Sequence, residues 1–109
     1  MIEHEELNPK PEDRLFCVKV GKVHRENLYE MTRKYWKARK EKASLATHVL
    51  AIEKGLVIAV YIPIEWIYST ERVGRIEFVG KEDPQSDYIG KCVDSYYGRS
   101  ANPVKYINF

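Results

Sequence analysis

The stretch Thr47-His48-Val49-Leu50-Ala51-Ile52-Glu53-Lys54-Gly55-Leu56-Val57-Ile58-Ala59-Val60-Tyr61-Ile62 decides the fold. Two apolar, β-branched runs, Thr47 to Ile52 and Leu56 to Ile62, flank a short polar link that contains Gly55. That arrangement is a hairpin signal. The second run is apolar on both of its alternating faces, Leu56/Ile58/Val60/Ile62 and Val57/Ala59/Tyr61. A strand apolar on both faces belongs in the centre of a sheet that is covered on both sides. Pro63 then ends or bends it, because proline donates nothing to a ladder.

Upstream of the hairpin, Leu15 to Val20 is a compact apolar run closed by Gly21, and it predicts a first strand. Arg25 to Ala43 contains no Gly or Pro and is rich in helix formers, which predicts one long helix. At about 100° per residue, Leu28, Met31, Tyr35 and Ala38 share a stripe roughly 80° wide that would face a core. Downstream, Ile64 to Tyr68 reads as either strand or turn, and Arg75 to Val79 as a strand. Gly80 to Asp87 reads as a loop, Tyr88 to Val93 as short strand or half-buried coil, Gly98 to Pro103 as a loop and Val104 to Phe109 as a terminal strand. Residues 1–13, acidic and interrupted by Pro9 and Pro11, predict a flexible N-terminal arm on a single domain spanning 14–109. The expected fold class is α+β: one main amphipathic helix packed on a curved, mostly antiparallel sheet of five to six strands.

Composition excludes several classes. At 109 residues the chain is one domain's worth. The longest apolar stretch, Leu56 to Ile64, is about half of what a bilayer crossing needs. The N-terminal Met-Ile-Glu-His-Glu-Glu is the opposite of a secretory signal. Two cysteines, Cys17 and Cys92, are too few for a disulfide scaffold. A soluble, cytoplasmic domain with no membrane partner is the expectation.

Charge is distributed unevenly. Lys22 to Lys42 holds eight bases and three acids, a local +5 in a chain whose net charge is only +2. Such polarity steers an anionic partner toward one face. On the expected helix, Arg33, Lys37 and Lys40 fall within about 60° of one another, opposite the apolar stripe.

No catalytic pattern emerges. His4, His24 and His48 are scattered and no Cys-x-x-Cys exists, so neither a metal site nor a cofactor is expected. The six glycines are isolated, which excludes a phosphate-cradling loop, and no Gly-x-Ser-x-Gly elbow is present. Tyr88-Ile89-Gly90-Lys91 resembles half of a GIY-YIG nuclease signature, with Ala59-Val60-Tyr61 as a degenerate first half. Tyr61 and Tyr88 stand too far apart for that family's hairpin, and the sequence predicts no helix after Lys91, so the nuclease reading is set aside.

A wider pattern runs through Val49-Leu50-Ala51-Ile52, Gly55-Leu56-Val57, Val60-Tyr61, Trp66, Gly74-Arg75-Ile76-Glu77-Phe78-Val79-Gly80, Tyr88-Ile89-Gly90-Lys91 and Asn102-Pro103-Val104-Lys105-Tyr106. It resembles small uncharacterised bacterial and phage proteins. That resemblance implies a phage or mobile-element context and carries over no activity and no functional residue.

Aromatics make up 12% of the chain and gather in its strand-rich half. Beside basic residues they suit base stacking. The expectation is therefore a non-enzymatic module that contacts nucleic acid through Arg33, Lys34, Trp36, Lys37 and Lys40 together with Trp66, Tyr68 and Arg75, on a fold in the manner of PUA-like or small-barrel domains. The alternative is a protein-binding inhibitor or adaptor, such as a phage counter-defence factor that occupies a host nucleic-acid enzyme.

Overall fold

The computed structural model describes residues 5–20, 28–97 and 103–109. Among the described residues, six strands form one mixed sheet: β1 Leu15–Lys19, β2 Lys34–Trp36, β3 His48–Glu53, β4 Leu56–Tyr68, β5 Ile76–Glu82 and β6 Val104–Ile107. Their spatial order is β2-β5-β4-β3-β1-β6. Only β1 and β3 run parallel; the other four pairings are antiparallel. Three short helices accompany them among the described residues, α1 Leu28–Arg33, α2 Lys40–Ala43 and α3 Asp94–Tyr97. The protein is a small α+β fold.

The β3–β4 hairpin forms where the sequence predicts it. Lys54 and Gly55 both take positive φ, 51° and 78°, the conformation of a two-residue turn whose twist matches that of the strands. β4 is longer than expected, because Pro63 bends the strand without ending it. The register with β5 shifts between Pro63 and Glu65, so the missing N–H falls at a bulge. Gly80 faces Pro63 across the pair, and a Cβ there would collide with the Ile62 carbonyl. Gly80 is thus part of β5 rather than the start of a loop.

The single long helix is corrected. α1 ends at Arg33, and Lys34 and Trp36 pair with Glu77 and Ile76 of β5. Helical propensity is a weak preference that tertiary pairing overrides. Here the edge of β5 offers ladder partners to a Tyr-Trp segment that suits a strand. Thr32 adds to this: its hydroxyl bonds back to the Leu28 carbonyl, and its own carbonyl accepts from Trp36 Nε1 at 2.6 Å. The predicted start at Arg25 and the side chains of Met31 and Tyr35 lie outside the described residues.

The sheet is buried on both faces. On the first, Phe16, Val18, Val49, Ala51, Tyr61, Trp66 and Phe78 pack beneath the segment that carries Leu28, Tyr29, Trp36, Ala38 and Ala43. On the second, Leu15, Cys17, Leu50, Ile52, Val57, Val60 and Ile107 meet Leu7, Tyr88, Val93 and Tyr97. Alternation sends neighbouring residues of β1 and β3 into opposite cores, which is why both strands are apolar throughout.

Residues 5–13 contain no helix or named strand, as their prolines imply, but they are fastened to the second face. Leu7 N–H donates to the Cys92 carbonyl and Cys92 N–H to the Glu5 carbonyl, at 2.8 and 2.7 Å. The Tyr88 hydroxyl donates to Asp13 Oδ2 at 2.6 Å and accepts from the Lys10 N–H at 3.0 Å.

Candidate functional site

Breaking the long helix disperses the expected basic stripe. Arg33 turns inward, where its Nη1 donates to Glu77 Oε2 at 2.7 Å; the two side chains are 17% and 10% exposed. Trp36 is half-buried against the first core. Trp66 is buried between Phe16 and Phe78, with ring centroids 4.9 and 5.2 Å away, so it serves packing. Its Nε1 finds no partner among the described residues. Arg75 is exposed at the end of the 69–75 loop and close to Tyr68, since Tyr68 pairs with Ile76 and the Ser69 N–H donates to the Arg75 carbonyl at 2.9 Å. Lys34 joins β2 through its backbone, and its side chain lies outside the description. Lys40 is half-buried, with Nζ 5.2 Å from the ring centroid of Tyr68, an exposed residue of β4.

Lys37 meets other partners. After β2 the chain passes through Arg39, whose backbone is extended, and enters α2, whose first residue is Lys40. Lys37, Arg39 and Lys42 of this segment and residues of β6 together line a groove of about 430 Å³. Lys105 supplies a fourth cation, Ala38 and Val104 the apolar lining, and Tyr106 an aromatic surface. None of the described lining residues is acidic.

Tyr106 is held from several sides. Phe16 meets it edge-on at 5.3 Å and Phe109 at 4.8 Å, while Lys42 Nζ stands 4.1 Å from its ring centroid. Burial raises the Tyr106 hydroxyl above its ordinary range, and the nearby Arg39 charge opposes that shift. The hydroxyl is therefore protonated at neutral pH and able to donate to an anion.

Sequence reading found the basic segment and Lys37, but it did not associate Arg39, Lys42, Lys105 and Tyr106 as one site. The available signal was the density of bases from Lys37 to Lys42, independent of helical phase. Lys105 and Tyr106 enter through the pairing of β6 with β1, which no local pattern announces.

Other polar clusters bind the fold together. Thr47 Oγ1 accepts from the Arg14 N–H at 2.9 Å, lies 3.1 Å from the Arg14 carbonyl and stands 2.8 Å from His48 Nδ1. A hydroxyl so engaged is a clamp between the N-terminal segment and β3. Burial pushes the Cys17 thiol up to about 12, leaving it protonated and unreactive at neutral pH. A smaller cleft of about 270 Å³ mixes Asp94 with Lys19 and Lys54, so its charges partly offset one another. Among the described residues, no group of three or more His, Cys, Asp or Glu side chains is placed to hold a metal ion. Nor is any helix among them long and apolar enough to cross a membrane.

Comparison with known proteins adds no assignment: no protein-family model, no curated protein and no solved structure matches this chain.

Proposed function

We propose that the protein is a small nucleic-acid-binding module whose contact surface is the groove between the Lys37–Lys42 segment and β6. One observation carries this reading: Lys37, Arg39, Lys42 and Lys105 line a single groove, and none of its described lining residues is acidic. The chain as a whole is nearly neutral, at +2. Four cations around one concavity make a local positive field that attracts and holds phosphates. Arg39 can grip a phosphate through two parallel N–H bonds, whereas the lysines act as point charges. Neutral-pH protonation of Tyr106 adds a donor at the same surface.

A labelled oligonucleotide titrated at two salt concentrations tests the proposal. Affinity should fall steeply with salt, because each phosphate contact releases condensed counterions. Absence of binding even at low salt would refute it.

A second reading, a protein-binding inhibitor or adaptor acting on a host nucleic-acid enzyme, draws on a different surface. Ile62, Ile64 and Val79 are exposed on the β4–β5 ribbon. Ile62 pairs with Lys81 and Val79 with Glu65, which puts Ile62 and Val79 on one face of that ribbon. An exposed apolar cluster of this kind suits a protein contact. An interface centred there would be far less sensitive to salt than the groove.

A further inference from the structure

Resting on the nucleic-acid reading above, we infer that the groove takes single-stranded rather than duplex nucleic acid, with one base stacked on Tyr106 in the place the Lys42 ammonium now holds. The groove, about 430 Å³, has the dimensions of a small-ligand pocket. That volume suits a nucleotide unit with its neighbouring phosphates. Within a duplex the base faces are stacked on one another and cannot reach an aromatic side chain; in an unpaired strand they can.

Tyr106 is built as a platform. Phe16 and Phe109 brace it edge-on at 5.3 and 4.8 Å, which fixes the ring's orientation. Lys42 Nζ lies 4.1 Å from the ring centroid, on an exposed side chain. A cation held over a ring at a solvated site is weakly bound. An incoming phosphate competes for it with full charge. As Lys42 swings onto that phosphate, the Tyr106 face is released to a base. The same lysine thus shields the aromatic surface in the free protein and engages the backbone in the complex. Arg39, Lys37 and Lys105 line the same groove as Tyr106, where they take the adjacent phosphates.

The test uses the intact chain and three labelled probes at one salt concentration: an oligothymidylate of about a dozen nucleotides, a duplex of the same length, and an abasic deoxyribose-phosphate strand of the same length. The oligothymidylate should bind roughly tenfold more tightly than the abasic strand, the value of one stacked base, and more tightly than the duplex. Tyr106→Phe should preserve that preference and Tyr106→Leu should abolish it, with circular dichroism confirming that each variant is folded. The abasic comparison needs no variant, so it stands even if Tyr106→Leu fails to fold. Equal affinity for the abasic and natural strands, or duplex binding at least as tight as single-strand binding, overturns the inference and leaves the nucleic-acid reading in place. Failure of all three probes to bind at low salt overturns both.

Discussion

Arg33 is held by Glu77 at 2.7 Å, out of bulk solvent, and this pair separates the bases that hold the fold from those that line the groove. Replacing Arg33 by Gln leaves a largely buried carboxylate without its charge partner, which costs about 2–4 kcal/mol. Lys37→Gln, at an exposed position of the groove, should change stability by less than about 0.5 kcal/mol. Urea denaturation of the two variants checks the contrast. Equal stability would mean that Arg33 is an ordinary surface base.

Val60 is fully buried in β4, opposite Leu50 of β3, and belongs to the second core. Val60→Asp would put an unpaired charge there at a cost of several kcal/mol, against a total stability of about 5–15. The variant should be unfolded at room temperature. A melting temperature within about 4 °C of the parent would contradict the strand's central position.

Gly55 combines a φ of +78° with a close neighbour, since a Cβ there would collide with the Asp94 carboxylate. Gly55→Ala should cost more than the roughly 1 kcal/mol of backbone strain alone. The double variant Gly55→Ala/Asp94→Ala should recover the steric part. No recovery in thermal melts would show that Asp94 does not crowd the turn.

Alkaline pH should weaken the fold. Burial pushes Cys17, Tyr61 and Tyr88 up to about 12, with Glu82 adding to the shift at Tyr61 and the Asp13 contact to that at Tyr88. In the unfolded chain these groups ionise near their ordinary values, ~8.5 for Cys and ~10 for Tyr. The unfolded state therefore loses protons first, and the folded state holds more of them above those values. Stability should be flat up to about pH 8.5 with respect to these groups, then decline as pH rises toward 12. Urea midpoints across that range, read beside tyrosinate absorbance, measure it. A midpoint that holds constant to pH ~11 would contradict the buried, protonated state of these side chains.

The hairpin was legible because its signals are local: alternating apolar residues and a Gly-containing link that adopts the turn conformation at Lys54 and Gly55. Five of the six strands and the mostly antiparallel pairing follow from similar runs, whereas β2 lies in a segment whose composition reads as helix. The passage of β4 through Pro63 was not legible, because the bulge depends on Gly80 across the ladder. The break after Arg33 was hidden for the same reason, since the partner that draws Lys34–Trp36 into the sheet is β5, about forty residues on. At the site, base density marked Lys37, but the groove needs Lys105 and Tyr106. Their arrival beside α2 follows from the pairing of β6 with β1.

The central claim is that groove cations contact phosphates, and the salt dependence of binding tests it most directly. For a single strand, log K should fall with log salt by about 0.7 per phosphate contacted. The double variant Lys42→Gln/Lys105→Gln removes two groove cations while the Arg33–Glu77 pair stays intact. Its slope should be shallower than that of the parent by about 1.4, with folding unchanged. An unchanged slope in a folded variant would contradict the groove as the site of contact.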